Sequence, residues 1–334
     1  MSRNPRRLQL VLVALFTVSA VLYLGFGPGP GIGDALYGLF GNGLDQHVFI
    51  ARHYRLPRFV VASFAGAALA LAGVVMQAAF RNPLAAPDVI GTSAGAAFGG
   101  VLAIVTKIAQ IGVLAVPLAS LSGAVAVTML VFTLAGNRGR FSATGLLLAG
   151  IAVNTLAGAL TSFAVTFQYA NYTASSEVLF WLMGGLERST WPHALLTAIG
   201  TILFAALILP HRRDLDLLTL QDDVAHGLGL DAPRVRRRLL WIACGLTAAT
   251  VANTGGIAFV GLVVPHLSRL VVGPTHRVLL PTAALMGALL LVLGDMVCRA
   301  SPPDANLRLG VVTALLGAPY FLFLLARHRR GEML

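Results

Sequence analysis

The sequence predicts an all-α, polytopic membrane protein with about ten transmembrane helices, built as one domain over residues 1–334. Three observations predict it. Hydrophobic residues make up 57% of the chain and charged residues only 11%, against roughly 25% charged in an average soluble domain. Mean hydropathy is +0.81. The apolar residues also fall in runs close to the ~20 residues that a helix needs to cross a ~30 Å hydrocarbon core. This balance excludes a soluble enzyme, a disordered chain and a disulfide scaffold.

Taken in order, the runs lie near residues 8–26, 58–80, 88–106, 113–135, 144–168, 193–210, 239–256, 257–273, 278–298 and 309–326. The first follows Arg3, Arg6 and Arg7 and is longer than the 7–15 residues of a signal-peptide core, so it reads as a retained span. The run at 257–273 is the weakest, being short and carrying Pro265, His266 and Arg269. A further apolar stretch, Val178–Leu186, is too short to cross and predicts an interfacial or re-entrant helix over about 176–186. Double small-residue spacings, Gly91/Gly95/Gly99 and Gly150/Asn154/Gly158, predict close helix packing on the third and fifth spans.

The net charge of +11, from 24 basic and 13 acidic residues, points to membrane orientation and not to nucleic acid. With the N-terminus inside, 17 of the 24 basic residues fall on cytoplasmic segments and 7 on the outer side. Both termini are therefore expected to be cytoplasmic. Cys244 and Cys298 lie far apart in or at the end of apolar runs and read as small buried hydrophobes.

Recognisable reaction chemistry does not stand out. A P-loop needs a lysine to reach the terminal phosphates, and the only lysine, Lys107, is followed by Ile108. The chain cannot hydrolyse ATP by that route, and no metal-ligand motif is seen. Asp295, inside the ninth span, is expected to pair with Arg299 one turn on. No other charge suggests an ion relay, so transport would have no energy source within this chain. The one long cytoplasmic loop, 211–238, predicts two short helical pieces. Asp222 and Asp223 open an amphipathic segment with Leu220, Val224 and Leu228, Gly227 or Gly229 ends it, and Asp231 caps the next helix with Pro233 in its first turn.

Several blocks together resemble a known family. They are Arg55-Leu-Pro-Arg58, the run from Gly66 through Gly73 to Gln77, Arg81-Asn-Pro-Leu-Ala85, Leu146–Gly150, Trp181-Leu-Met-Gly-Gly185, Gly261–Arg269, His276–Pro281 and Gly310–Pro319. In that order they resemble the FecCD-type permeases, the membrane subunits of bacterial ATP-binding cassette importers for ferric siderophores, haem and cobalamin. The resemblance implies the type II importer permease fold in the bacterial inner membrane, and two copies of the chain sharing one pathway. It also implies two separate ATPase subunits that use the ATP and magnesium, and a periplasmic binding protein that delivers cargo; this chain itself holds no cofactor or metal. By position, Arg55, Arg58 and Arg299 match the family's binding-protein docking arginines, expected as exposed guanidinium groups. The segment with Leu220, Asp222, Asp223, His226, Gly227 and Gly229 matches its ATPase coupling element. Asn82 and Leu84, with Ala143 and Thr144, match its cytoplasmic gate. An iron chelate, either a ferric siderophore or haem, is the expected cargo, with cobalamin as the alternative. The chain departs from the family pattern at Asn306-Leu-Arg308, where an acidic residue and a proline are usual; that cation near the outer mouth suggests an anionic cargo or a different docking partner.

Overall fold

In a computed structural model, the chain is described over residues 5–25, 33, 46–135, 143–166, 172–302 and 305–329. Helices occupy all ten predicted runs. They are α1 (Pro5–Gly25), α2 (Leu56–Phe80), α3 (Thr92–Val105), α4 (Ala115–Ala135), α5 (Ala143–Thr166), α7 (Trp191–Ile208), α10 (Ala232–Thr254), α11 (Val260–Val272), α12 (His276–Ala300) and α13 (Leu309–Arg329). Between them lie α6 (Tyr172–Leu182) and the two short helices of the long loop, α8 (Arg212–Leu218) and α9 (Asp222–Gly227). No β-strand occurs among the described residues.

Among the described residues, six helical segments are long and apolar enough to cross a membrane: those of α1, α2, α4, α5, α7 and α12. α2 is extended by Gln46–Ile50 and a π-helical turn over Ala51–Arg55. α10 opens on Arg234, Arg236, Arg237 and Arg238, so its apolar stretch is confined to its later turns. α3 and α11 have 14 and 13 residues, about 20 Å of helix, and cannot reach across ~30 Å of hydrocarbon by themselves. The expected span at 88–106 accordingly begins later than predicted. Pro87–Ile90 forms a 3-10 turn, and Gly91, at φ +90°, turns the chain into α3. The expected helix at 176–186 also shifts, ending at Leu182 because Gly184 takes φ +68°.

α2 is the centre of the bundle. Its side chains are mostly small, and it packs against α7, α10, α11 and α12. Lipid is as apolar as a leucine side chain, so helices associate in it by close contact more than by burial of oily surface. α2 gains that contact through glycine. A Cβ placed on Gly66 would lie 2.1 Å from the Gly287 carbonyl oxygen of α12, and one on Gly73 would lie 1.8 Å from that of Gly261 in α11. The Gly95/Gly99 face of α3 meets Gly123 and Ala119 of α4 in the same way. Gly158, by contrast, faces open space.

A second glycine junction joins three breaks in helix. Gly185 N–H donates to the Thr254 carbonyl (2.8 Å), and Gly310 N–H donates to that of Gly184 (3.2 Å). The end of α6, the α10–α11 turn and the start of α13 are thereby tied by backbone alone.

Substitution of Gly66 by alanine is expected to cost at least the ~1–3 kcal/mol of overpacking, because the clash is with backbone that cannot rotate away. Gly158→Ala should stay within about 0.5 kcal/mol of the parent. Thermal unfolding of the two variants in detergent checks the contrast.

Candidate functional site

Two groups of polar residues stand out, one at each end of α2. At its first turn, Arg58 meets Asp295 of α12. Arg58 Nε and Nη2 donate to Asp295 Oδ2 and Oδ1 at 2.8 and 2.6 Å. Tyr23 of α1 donates its hydroxyl to the same carboxylate at 2.6 Å. Asp295 is fully buried and the Arg58 side chain is 17% exposed. The expected pairing of Asp295 with Arg299 is therefore corrected: the carboxylate turns inward to α1 and α2. Arg299 instead donates to the Tyr23 carbonyl (3.0 Å) and sits 4.8 Å from the centre of the Tyr23 ring. Arg55 is buried and donates to the Leu24 carbonyl. The expectation of exposed guanidiniums thus fails for Arg55 and Arg58, because both are spent holding the end of α1 against α2 and α12.

Beside this cluster lies a cavity of about 490 Å³. Arg58, Arg299, Arg188, Arg308, Glu187 and Trp181 are among its lining residues, and Asn253 and Thr254 reach it from the end of α10. Arg308, the residue that departs from the family pattern, pairs with Glu187 (2.7 Å) and lies 4.3 Å from the centre of the Phe180 ring. Its charge is answered within the chain.

The opposite end of α2 carries the second group. Arg81, in left-handed conformation at φ +49°, closes α2 and donates through Nε to the Leu218 carbonyl of α8 at 2.9 Å. Arg81 also pairs with Asp222 at the start of α9, and Arg236 of α10 reaches the same Asp222 oxygen at 2.9 Å. One carboxylate thus joins α2, α9 and α10. Burial pushes the Asp222 carboxyl up, but the Arg236 and Arg81 guanidiniums outweigh it and hold the group below the usual carboxylate range.

The α8–α9 loop is built much as its sequence predicts. α9 opens with Asp222 and Asp223 and ends at Gly227, and Gly229 at φ +85° turns the chain back. Asp231 then caps α10 by accepting from the Arg234 N–H at 3.2 Å. Asp223, His226 and Leu220 are exposed, as are Val224 and Leu228, while Ala225 faces inward. The four expected gate residues lie at two helix ends. Asn82 Oδ1 accepts from the Leu84 N–H at 2.9 Å in a tight turn after α2, and Ala143 and Thr144 begin α5. Among the described residues, no hydrogen bond joins the two pairs.

Sequence reasoning missed Tyr23, Arg81, Arg236 and the true partner of Asp295. Each acts over a separation of 14 to 272 residues, with no local signal to betray it.

The FecCD transport family matches residues 11–327. The cobalamin import system permease protein BtuC of Halobacterium salinarum is 43% identical over 275 residues, covering 81% of this chain and 72% of that protein. The Fe(3+) dicitrate transport system permease protein FecD of Escherichia coli is 39% identical, covering 85% and 87%. A solved structure described as a metal-chelate type ABC transporter, in an inward-facing conformation, superposes with a TM-score of 0.84. It is 33% identical, covering 97% of this chain and 100% of that one.

Two outcomes follow for these clusters. Arg58→Ala and Asp295→Asn should each cost about 3–5 kcal/mol, because each strands a buried partner, whereas Arg58→Met with Asp295→Leu should recover most of the loss in thermal unfolding. The Asp222 tie stabilises the fold above the ordinary carboxylate value of about 3.9 and is lost only as pH falls through its lowered value. The stability gap between the parent and Asp222→Asn should therefore hold from pH 8 to 5 and close in stronger acid.

Proposed function

The chain belongs to the FecCD transport family, and from that premise we propose that it is the permease subunit of an importer for an iron chelate, a ferric siderophore or haem. The reading of this chain as a multi-pass membrane permease whose ATPase is a separate subunit comes with the family. Finer points are proposals. Cobalamin is the second cargo reading, favoured by the identity to the Halobacterium salinarum permease. The iron reading is supported by the likeness to the dicitrate permease and to the metal-chelate transporter.

The observation that carries the mechanism is the α8–α9 loop. Exposed Leu220, Val224 and Leu228 leave an apolar strip on a water-facing element, and Asp222 ties that element to α2 and α10. Such a strip calls for a partner. Here it is read as the seat of the ATPase subunit, with Asp223, His226, Gly227 and Gly229 at its edge. Movement of the seat is passed through Asp222 to Arg81, the residue that precedes Asn82 and Leu84. The gate of Asn82, Leu84, Ala143 and Thr144 would then open or close as ATP binds and is hydrolysed.

A second copy of the chain would cover α5, which leaves Leu148, Ile151, Leu156, Leu160 and Phe163 exposed. The pathway would run between the two copies, with ten spans in each and both termini on the cytoplasmic side of a bacterial inner membrane. The periplasmic binding protein would dock over the arginine-lined cavity, placing carboxylates near Arg299 and the accessible edge of Arg58. Arg55 would support this surface from beneath. Charge-assisted contacts of this kind steer encounter and can be released in each cycle.

ATP-dependent uptake into proteoliposomes holding the assembled complex tests the reading, with haem, cobalamin, ferric citrate and several ferric siderophores offered in parallel. An iron chelate should accumulate only with ATP and the binding protein. Accumulation driven by a pH or sodium gradient through this chain alone would overturn it. Asp222→Arg combined with Asp223→Arg is expected to prevent co-purification of the ATPase, or to leave ATP hydrolysis without uptake.

A further inference from the structure

The turn between α2 and α3 holds a carboxylate at an unusual depth. Two rulers measure it. Gly150 of α5 approaches the Val89 carbonyl so closely that a Cβ there would lie 2.1 Å from its oxygen. Gly150 is seven residues into α5, about 10 Å along its axis. Independently, Pro87 lies against Gly261, and Gly261 lies against Gly73 and Leu69 of α2. Gly73 is seven residues from the end of α2 at Phe80, again about 10 Å. The 3-10 turn Pro87–Ile90 therefore lies about 10 Å in from the ends of α2 and α5, within the thickness of hydrocarbon that these two helices are long enough to cross, which also explains why 14 residues suffice for α3.

Asp88 is the ionisable residue of this turn, and it is exposed. Its carboxylate accepts from the Ser93 hydroxyl, and its backbone carbonyl accepts from Asn154 Nδ2 of α5 at 2.9 Å. Among the described residues no basic side chain pairs with it. Exposed non-helical backbone and an exposed carboxylate are not tolerated against lipid tails; at this depth they occur only where protein lines water. The neighbouring α5 is the helix whose apolar face awaits a second copy.

Resting on the permease reading, we propose that Asp88 lines the aqueous route through the membrane and selects cargo by charge, favouring groups that are cationic or rich in hydrogen-bond donors over polyanions. Charges of both signs line the outer cavity, Arg58, Arg188, Arg299 and Arg308 with Glu187, but deeper in the bundle the Asp88 carboxylate acts on passing cargo at close range. Cargo bearing ammonium, hydroxyl or amide donors gains a contact, while cargo with several free carboxylates meets repulsion.

Thiol labelling tests the placement without requiring transport. Cys244 and Cys298, both buried, are replaced by alanine in the full chain, and Asp88→Cys is introduced in liposomes made leaky to small solutes. A charged, water-soluble methanethiosulfonate should modify Asp88→Cys and leave Ile202→Cys, on the apolar face of α7, unmodified. Ser93→Cys retains the Asp88 carboxylate beside the new thiol, without the Ser93 hydroxyl bond. It should react about three- to tenfold faster with a cationic than with an anionic reagent, the scale of one charge acting over a few ångströms of water, and Asp88→Asn should bring that ratio near one. Asp88→Cys that is inert to the aqueous reagent overturns the proposal, whether a lipid-soluble maleimide labels it or not; so does a ratio that Asp88→Asn leaves unchanged. In the assembled complex, Asp88→Asn should raise uptake of a polyanionic chelate relative to a neutral one while ATP hydrolysis is unaltered, and an unchanged ratio would refute the selective role. Absence of ATP-driven uptake by the parent complex would instead count against the permease reading, and leaves the labelling result to stand by itself.

Discussion

Backbone amides and carbonyls that leave a helix within hydrocarbon must find partners in their own protein, because no water is present to take them. Much of this architecture answers that demand. Helices α3 and α11 stop short of a full crossing, and α6 ends early, so several chain breaks lie at depth. Glycine stands at several of these breaks. Gly184, Gly255 and Gly310 let three strands of irregular backbone touch and exchange N–H and carbonyl partners, while Gly66 and Gly73 bring α2 onto its neighbours. The small residues of α2 make it a core that can be approached from several sides.

Charge is used sparingly and at the two ends of this core. At one, a buried carboxylate collects a guanidinium and a phenol from two other helices and fixes how α1, α2 and α12 meet. At the other, an accessible carboxylate collects two guanidiniums and fixes how a surface loop meets α2 and α10. The first has its carboxylate fully buried and is costly to break. The second is wet, and worth less in stability, as exposed pairs generally are.

Much of the fold was legible in the sequence because hydrocarbon leaves few options: a run of apolar residues must be helical, so all ten runs became helices. The caps of the long loop were legible too, since Asp231, Pro233 and Gly229 act on neighbours within a few residues. The electrostatics were not. Asp295 has an inviting cation four residues on, and nothing local shows that it prefers Arg58, a residue 237 positions earlier. The expected span at 88–106 takes in most of this turn because Val89 and Ile90 lead straight into the apolar residues of α3; where the helix stops short depends on Gly150 and Gly261, which belong to other helices.

The distance in sequence between Arg58 and Asp295 has a bearing on how the protein is made. At roughly 5–20 residues per second, the ribosome completes Asp295 on the order of ten to fifty seconds after Arg58 has been synthesised. In the interval the guanidinium has no carboxylate to meet, and its long stem lets it rest at the lipid headgroups. The arrival of α12 would then draw it inward, making closure of this end of the bundle one of the last events in biogenesis.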